Sequence, residues 1–219
     1  MVKYYPILKN NMLFDGIDEE DIGSMLKCLS ANDKKYNKGD IIYMDGDTIS
    51  HVGIVLSGKV QIIKEDYFGN RTIMADLSEG EVFGEVFACS KTDKIPVTVV
   101  SAIDSVILFV NYRRIITVCS TSCEFHLRLI ENMLGILAMK NFMLNHKIDC
   151  LSKRTTRERI LTYLSFQSKN TKSNSFTIPF NRQELADYLC VDRSAMSSEL
   201  GKMRDEGILE FNKNNFILH

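Results

Sequence analysis

The apolar positions of this chain change their period several times, and each change marks a different kind of element. Ile22, Met25, Leu26 and Leu29 recur at helical spacing behind Asp18-Glu19-Glu20-Asp21, an N-cap and acidic first turn, which predicts a short amphipathic helix. From Lys38 to about Val110 the period shortens. Gly39, Gly46, Gly53, Gly58, Gly69, Gly80 and Gly84 punctuate short runs rich in Val and Ile, the pattern of strands and tight turns that close into a roll or barrel. Two hairpins are predicted within it: HVGIVL with KVQII about Ser57-Gly58, and KVQIIKED with RTIMADL about Gly69-Asn70.

The helical period then returns and is sustained. Leu127, Ile130, Leu134, Leu137, Asn141, Leu144, Ile148 and Leu151 follow alternating steps of three and four, an a/d seam. One polar Asn at an a position is a device that fixes register in two-stranded parallel coils, so Asn141 favours a homodimer with this coil as its axis. LSKRTTRERI breaks the seam with a charge run and reads as a hinge. Beyond it, Thr156 is the expected cap of a helix carrying Ile160, Leu161 and Leu164; SKNTKSNS reads as a surface loop and FTIPF as a strand.

The last third holds the most informative pattern. Asn181 followed by Glu184 signals a capping box, with Leu185, Ala186 and Leu189 on the apolar face of the helix it opens. Cys190-Val191 predicts a short turn, and Asp192 caps a second helix whose inward face is Met196, Leu200 and Met203 and whose end is Gly207. Two short helices joined by a tight turn form a helix-turn-helix. The outward face of the second helix, Arg193, Ser194, Ser197, Ser198 and Gly201, is small and polar apart from one guanidinium. Such a face fits the major groove, where an Arg reads the O6/N7 edge of guanine and Ser serves a base or a phosphate; the helical pattern alone equally fits an ordinary helical hairpin with a solvated serine-rich face. Arg182 and Gln183 open the first helix, where donors meet phosphate, and ILEFNKNNFIL predicts a wing with Lys213 near its tip.

Composition sharpens this picture. The 219 residues, 45% apolar and 25% charged, make a globular chain long enough for one large domain or two ordinary ones, and two is the better reading. The net charge of −1 hides an asymmetry: residues 1–151 carry 16 Lys+Arg against 20 Asp+Glu, and residues 152–219 carry 11 against 8, so the two parts stand at −4 and +3. The tail is the part suited to a polyanion. No apolar stretch approaches the ~20 residues of a membrane span, and MVKYYPILKN has no apolar signal core, which points to a cytoplasmic protein with no membrane partner. Cys28, Cys89, Cys119, Cys123, Cys150 and Cys190 are scattered, as buried small hydrophobes are, and suggest no disulfide framework. No nucleophile elbow, P-loop or HExxH stretch supports an enzyme.

Short helix, glycine-punctuated roll, heptad helix, hinge and winged helix-turn-helix, in this order, resemble the Crp/Fnr family of dimeric bacterial transcription regulators across essentially the whole chain. The specific matches are Arg182-Gln183-Glu184-Leu185-Ala186, the Arg193 helix and Gly84-Glu85. The resemblance implies an α+β protein with a cyclic-nucleotide-binding-type β-roll over 1–110, a dimerisation helix over 111–151 and a winged helix-turn-helix over 152–219. It also implies that Arg182, Gln183 and Arg193 contact double-stranded DNA, as an inverted repeat bound by the homodimer, with RNA polymerase a further candidate partner.

The departures from the family pattern bear on the effector. Cyclic-AMP-responsive members have Glu-Thr-Val-Gly-Arg after the recognition Arg, where this chain has Ser194-Ala195-Met196-Ser197-Ser198, so a different operator is expected. Their phosphate cassette opens with Gly-Glu, matched by Gly84-Glu85, and closes with Arg-Ser or Arg-Ala, where an ungapped count puts Ile95-Pro96, followed by Val97. The guanidinium is missing and Pro96 has no N–H, with Lys94 only a weak substitute. Leu144-Asn145 replace the Thr-Ser pair that reads adenine in those members. The expected effector is therefore an unidentified small molecule, neutral or weakly polar, and not cyclic AMP, with no cofactor expected. Cys119, Cys123, His51 and His126 form no convincing ligand set. A redox-, metal- or haem-sensing member of the family, or a ligand-binding adaptor without DNA binding, stands as the alternative; an adaptor would lack the salt dependence of a DNA binder.

Overall fold

A computed structural model describes residues 2–69, 71–90, 94–117 and 124–219. The chain divides into two compact units, Met1–Ala138 and Met139–His219.

The first unit opens with helical turns that the sequence pattern had not signalled, Val2–Tyr4, α1 (Tyr5–Lys9) and Met12–Phe14, before the expected α2 (Glu19–Cys28). The strands are β1 (Asn32–Tyr36), β2 (Ile41–Tyr43), β3 (His51–Ser57), β4 (Val60–Glu65), β5 (Arg71–Leu77) and β6 (Val82–Phe83). A short α3 (Glu85–Cys89) follows, then β7 (Thr98–Ser101), β8 (Ser105–Asn111) and α4 (Tyr112–Ile116). They build two four-stranded antiparallel sheets, ordered β1-β8-β3-β6 and β2-β7-β4-β5. Val55, Val60, Leu77, Phe83, Val99, Ile107 and Phe109 form one core cluster, with strands of both sheets contributing. A second cluster joins Val52, Ile54, Leu108 and Val110 to the helices through Leu13, Phe14, Ile22, Leu129 and Met133. Because β3 and β8 contribute to both, each reads as a nearly continuous apolar run and not as an alternation.

The hairpin expected about Gly69-Asn70 is present, with Val60 opposite Leu77 and Glu65 opposite Arg71; Asn70 itself lies outside the described residues. The hairpin expected about Ser57-Gly58 is corrected. Its strands lie in different sheets, β3 pairing with β6 and β8 and β4 pairing with β5 and β7. Gly58, at φ +90°, turns the chain from one sheet to the other, and a side chain there would strike Asp104 and Ser105. Two apolar runs about a glycine look alike in sequence whether the chain folds back or crosses over. β1 was also missed, since its polar sequence NDKKY marks a charged edge strand rather than an amphipathic one.

α5 (Glu124–Ser152) is continuous and contains the unit boundary. The second unit goes on with α6 (Thr156–Thr171), β9 (Ser175–Thr177), α7 (Arg182–Leu189), α8 (Arg193–Asp205), β10 (Leu209–Asn212) and β11 (Asn215–Leu218). The cap of α6 is Thr155 and not Thr156: its hydroxyl accepts from the Glu158 amide while the Glu158 carboxylate accepts from the Thr155 amide, a full capping box. Ile160, Leu164, Leu185, Leu189, Met196, Leu200, Met203 and Phe216 form the core that seats α7 and α8. No helix among the described residues is long and apolar enough to cross a membrane.

Candidate nucleic-acid interface and effector cassette

The helix-turn-helix is assembled by local chemistry. Asn181 Oδ1 accepts from the amides of Gln183 and Glu184, and the Glu184 carboxylate accepts from the Asn181 amide at 2.7 Å. Cys190 adopts the left-handed conformation, φ +51°, that the sharp end of α7 requires, and the Val191 amide donates to Ala186 O at 3.0 Å. Asp192 then caps α8, accepting from the Ala195 amide at 2.8 Å. Its carboxyl is held below the usual range by the Ser194 hydroxyl and that amide.

Two arginines of α6, which the sequence pattern did not single out, fix the motif. Arg159 donates from Nη1 to Leu189 O (3.1 Å) and Cys190 O (3.0 Å) and from Nε to Lys153 O (3.1 Å), so a guanidinium satisfies the carbonyls at the end of α7. Arg159→Met is expected to destabilise this unit by about 2 kcal/mol, read as a lower midpoint of thermal unfolding. Arg157 holds α8 through Glu199 (3.4 Å) and a two-pronged contact with Glu206. The Arg157 hydrogen bond leads the effects that hold the Glu206 carboxyl below its ordinary value. A depressed carboxylate stabilises the folded state above its unfolded pKa, and that contribution is lost as pH falls through the folded value. Acid unfolding followed between pH about 6 and 3 should therefore flatten in Glu206→Gln relative to the unsubstituted protein.

With Met196, Leu200 and Met203 buried, α8 exposes Arg193 at its first position and Ser194, Ser197 and Ser198 along its solvent side. A side chain at Gly201 would meet nothing within 4 Å, so this face is flat as well as polar. Gln183 is exposed, and its Nε2 donates to Asp187 at 2.8 Å. Arg182 is placed differently: its guanidinium lies over Phe211 and Phe216, 4.9 Å from each ring centroid, and burial pushes its pKa down. The wing is present as expected, β10 pairing with β11 through Asn212 and Asn215, with Lys213 in the two-residue loop, and β9 adding a third strand.

In the first unit, Gly84 (φ +78°, ψ −8°) is the N-cap of α3, and a side chain on it would press within 3.3 Å of His51 O. Glu85, 2% exposed, is carried inside the fold. Phe87 and Ala88 of α3 meet Ile49, Ile95 and Val97 in one apolar cluster. The Ile95 amide is used, donating to Asp47 O at 2.9 Å, while Ile95 O accepts from Gly46 at 2.8 Å. Pro96 and Lys94 are exposed; residues 91–93 lie outside the described residues. Leu144 and Asn145 belong to the second unit and are exposed, with Asn145 Nδ2 donating to Asn141 at 2.8 Å.

A cavity of about 190 Å³ in the first unit is lined by aromatic groups, Tyr36, Tyr43 and Phe109, with Lys34, Ile42, Asn32 and His51. Burial, and then Tyr36 and Asp47, push the Tyr43 phenol up to about 12. A larger one, about 470 Å³, involves none of the described residues among 84–97 and includes Ile41, Met44, Ile63 and the Glu65–Arg71 ion pair. Burial also pushes up the Cys89 thiol, against a hydrogen bond from Tyr112. Buried His126 lies 3.8 Å from Cys28 Sγ. No group of three or more His, Cys, Asp or Glu among the described residues could hold a metal; Cys119 and Cys123 lie outside those residues.

Comparison with known proteins places both units. Residues 33–122 match the cyclic nucleotide-binding domain and residues 158–219 the Crp-like helix-turn-helix domain. The chain belongs to the Crp/Fnr family. It is 24% identical over 209 residues to a cyclic AMP receptor protein of Thermus thermophilus, covering 92% of this chain and 89% of that one. It is 24% identical over 178 residues to the transcriptional activator protein FnrA of Stutzerimonas stutzeri, covering 79% and 70%. The crystal structure of the Thermus thermophilus catabolite activator protein shares the fold, with a TM-score of 0.55 at 21% identity over 95% of this chain and 94% of that one.

As a Crp/Fnr protein, the chain is a DNA-binding transcription regulator with an effector-binding domain of cyclic-nucleotide type. Membership gives the chain DNA as a partner. It does not give the chain its effector.

Proposed function

We propose that this Crp/Fnr regulator acts as a homodimer on an inverted repeat and that its sensor domain answers to a neutral or weakly polar molecule instead of cyclic AMP. The effector part is carried by one observation: where a cyclic phosphate would need a guanidinium and free amides, the segment after Glu85 supplies an amide already given to Asp47, a proline, and the buried side chains of Ile95 and Val97. Bringing a phosphate charge against this apolar wall unpaired would cost several kcal/mol at least.

The dimer is supported by α5. Leu129, Met133 and Ile136 point into the core, while Leu127, Leu134, Leu144 and Ile148 of the heptad seam are 64%, 61%, 60% and 63% exposed. Ile130 and Leu137 are half-buried, and Asn141 is exposed among them. A stripe of large apolar side chains left in water along one helix is what a partner helix would cover. In such a dimer the two α8 helices would enter successive major grooves about 34 Å apart, and effector state would act on that spacing through α5 and the Lys153–Thr155 link.

Calorimetry with cyclic AMP tests the effector assignment. No heat above dilution is expected at micromolar to millimolar nucleotide. Saturable micromolar binding would overturn it.

A further inference from the structure

Arg182 opens α7 at the end of the motif where phosphate contacts are expected, yet its guanidinium is turned against the wing. Its Cζ lies 4.9 Å from the centroids of both Phe211 and Phe216, rings that are themselves 6.1 Å apart. Nη1 is shut off from solvent and has no hydrogen-bond partner among the described residues. Arg204, in the last turn of α8, approaches Phe211 at 5.9 Å, and Phe216 stacks on Phe176 of β9 at 6.4 Å. One line of contacts thus runs from the recognition helix through the wing to the first helix of the motif.

A guanidinium that binds a phosphate presents its planar fork, two N–H groups side by side. Here one terminal nitrogen is closed off and the group is held against aromatic rings, the arrangement that makes a cation–π contact strongest because water is excluded. Lysine could not reproduce it, since its ammonium is a compact, strongly hydrated point charge without a plane to stack.

We propose that Arg182 is a positioning residue, which locks the wing onto the N-terminus of α7 and so fixes Lys213 relative to α8, and that it neutralises no phosphate. For its role in recognition this rests on the DNA-binding reading of α8; the lock itself does not.

Full-length Arg182→Lys and Arg182→Met decide it by two measurements. Without DNA, the amides of residues 209–218 should exchange with solvent hydrogen about fivefold faster in both variants. With a mixed-sequence duplex of about 30 base pairs, Arg182→Met should bind about fivefold more weakly at fixed salt while the slope of log affinity against log salt stays that of the parent. A slope shallower by about 0.9 per bound protomer, about 1.8 for the dimer, would mean lost phosphate contacts and overturn the proposal. So would unchanged wing exchange, or unchanged affinity. If Arg182→Met fails to fold, Arg182→Lys decides alone: a phosphate contact keeps parental wing exchange, and a lock does not. If the parent binds no duplex, the DNA reading fails, and wing exchange still tests the lock.

Discussion

Full-length protein carrying Leu134→Lys and Leu144→Lys is expected to run as a folded monomer in light scattering and to lose operator affinity by about 10²–10⁴-fold. Both leucines are more than half exposed in the single chain, so their loss should leave each protomer's fold intact. In the proposed coil each would be buried, at roughly 1.5–3 kcal/mol per side chain, and the substitutions remove four such side chains per dimer and bring like charges together. The loss on DNA follows because a monomer holds one half-site at a time and forfeits the effective concentration that tethering supplies. A stable dimer in the double variant would place the interface elsewhere. Asn141→Leu is the companion test: it should strengthen association while loosening register, seen as species larger than a dimer.

Arg193→Ala is expected to leave the fold unchanged and to cost about 1–3 kcal/mol of discrimination between the preferred site and the same site changed at one base pair. Arg193 is exposed in the first turn of α8, ahead of the buried Met196 and Leu200, so the core does not depend on it. Sites selected by the parent from a random duplex library supply the probe. Equal discrimination by the variant would show that another side chain reads that base pair.

Much of this architecture is legible in the sequence because it rests on local chemistry. The capping box at Asn181 and Glu184, the acidic cap at Asp192 and the seam of α5 are all patterns within one turn or one face of a helix. What escaped is non-local. The Ser57-Gly58 corner looks like a hairpin because pairing partners are chosen by the whole roll, not by the turn. The cap at Thr155 stands one residue before the expected Thr156, although the Thr155-x-x-Glu158 spacing carries the same capping-box signal as Asn181 and Glu184. Arg157 and Arg159 sit in a charge run that reads as solvated, and their acceptors on α7 and α8 lie 30 to 49 residues away. In the same way, the sequence puts Arg182 at a helix start and says nothing of Phe211 and Phe216, which fold back onto it from the wing. The closed cassette was partly visible, since Pro96 announces a missing donor, but the use of the Ile95 amide by Asp47 needed the fold.

The most direct test of the central claim is the affinity of the full-length protein for duplex DNA as salt rises from about 50 to 200 mM. A dimer with two α8 faces and two wings should engage several phosphates, so log affinity should fall linearly with log salt, losing about 10³-fold or more over that range. Absence of duplex binding, or binding indifferent to salt, would contradict it.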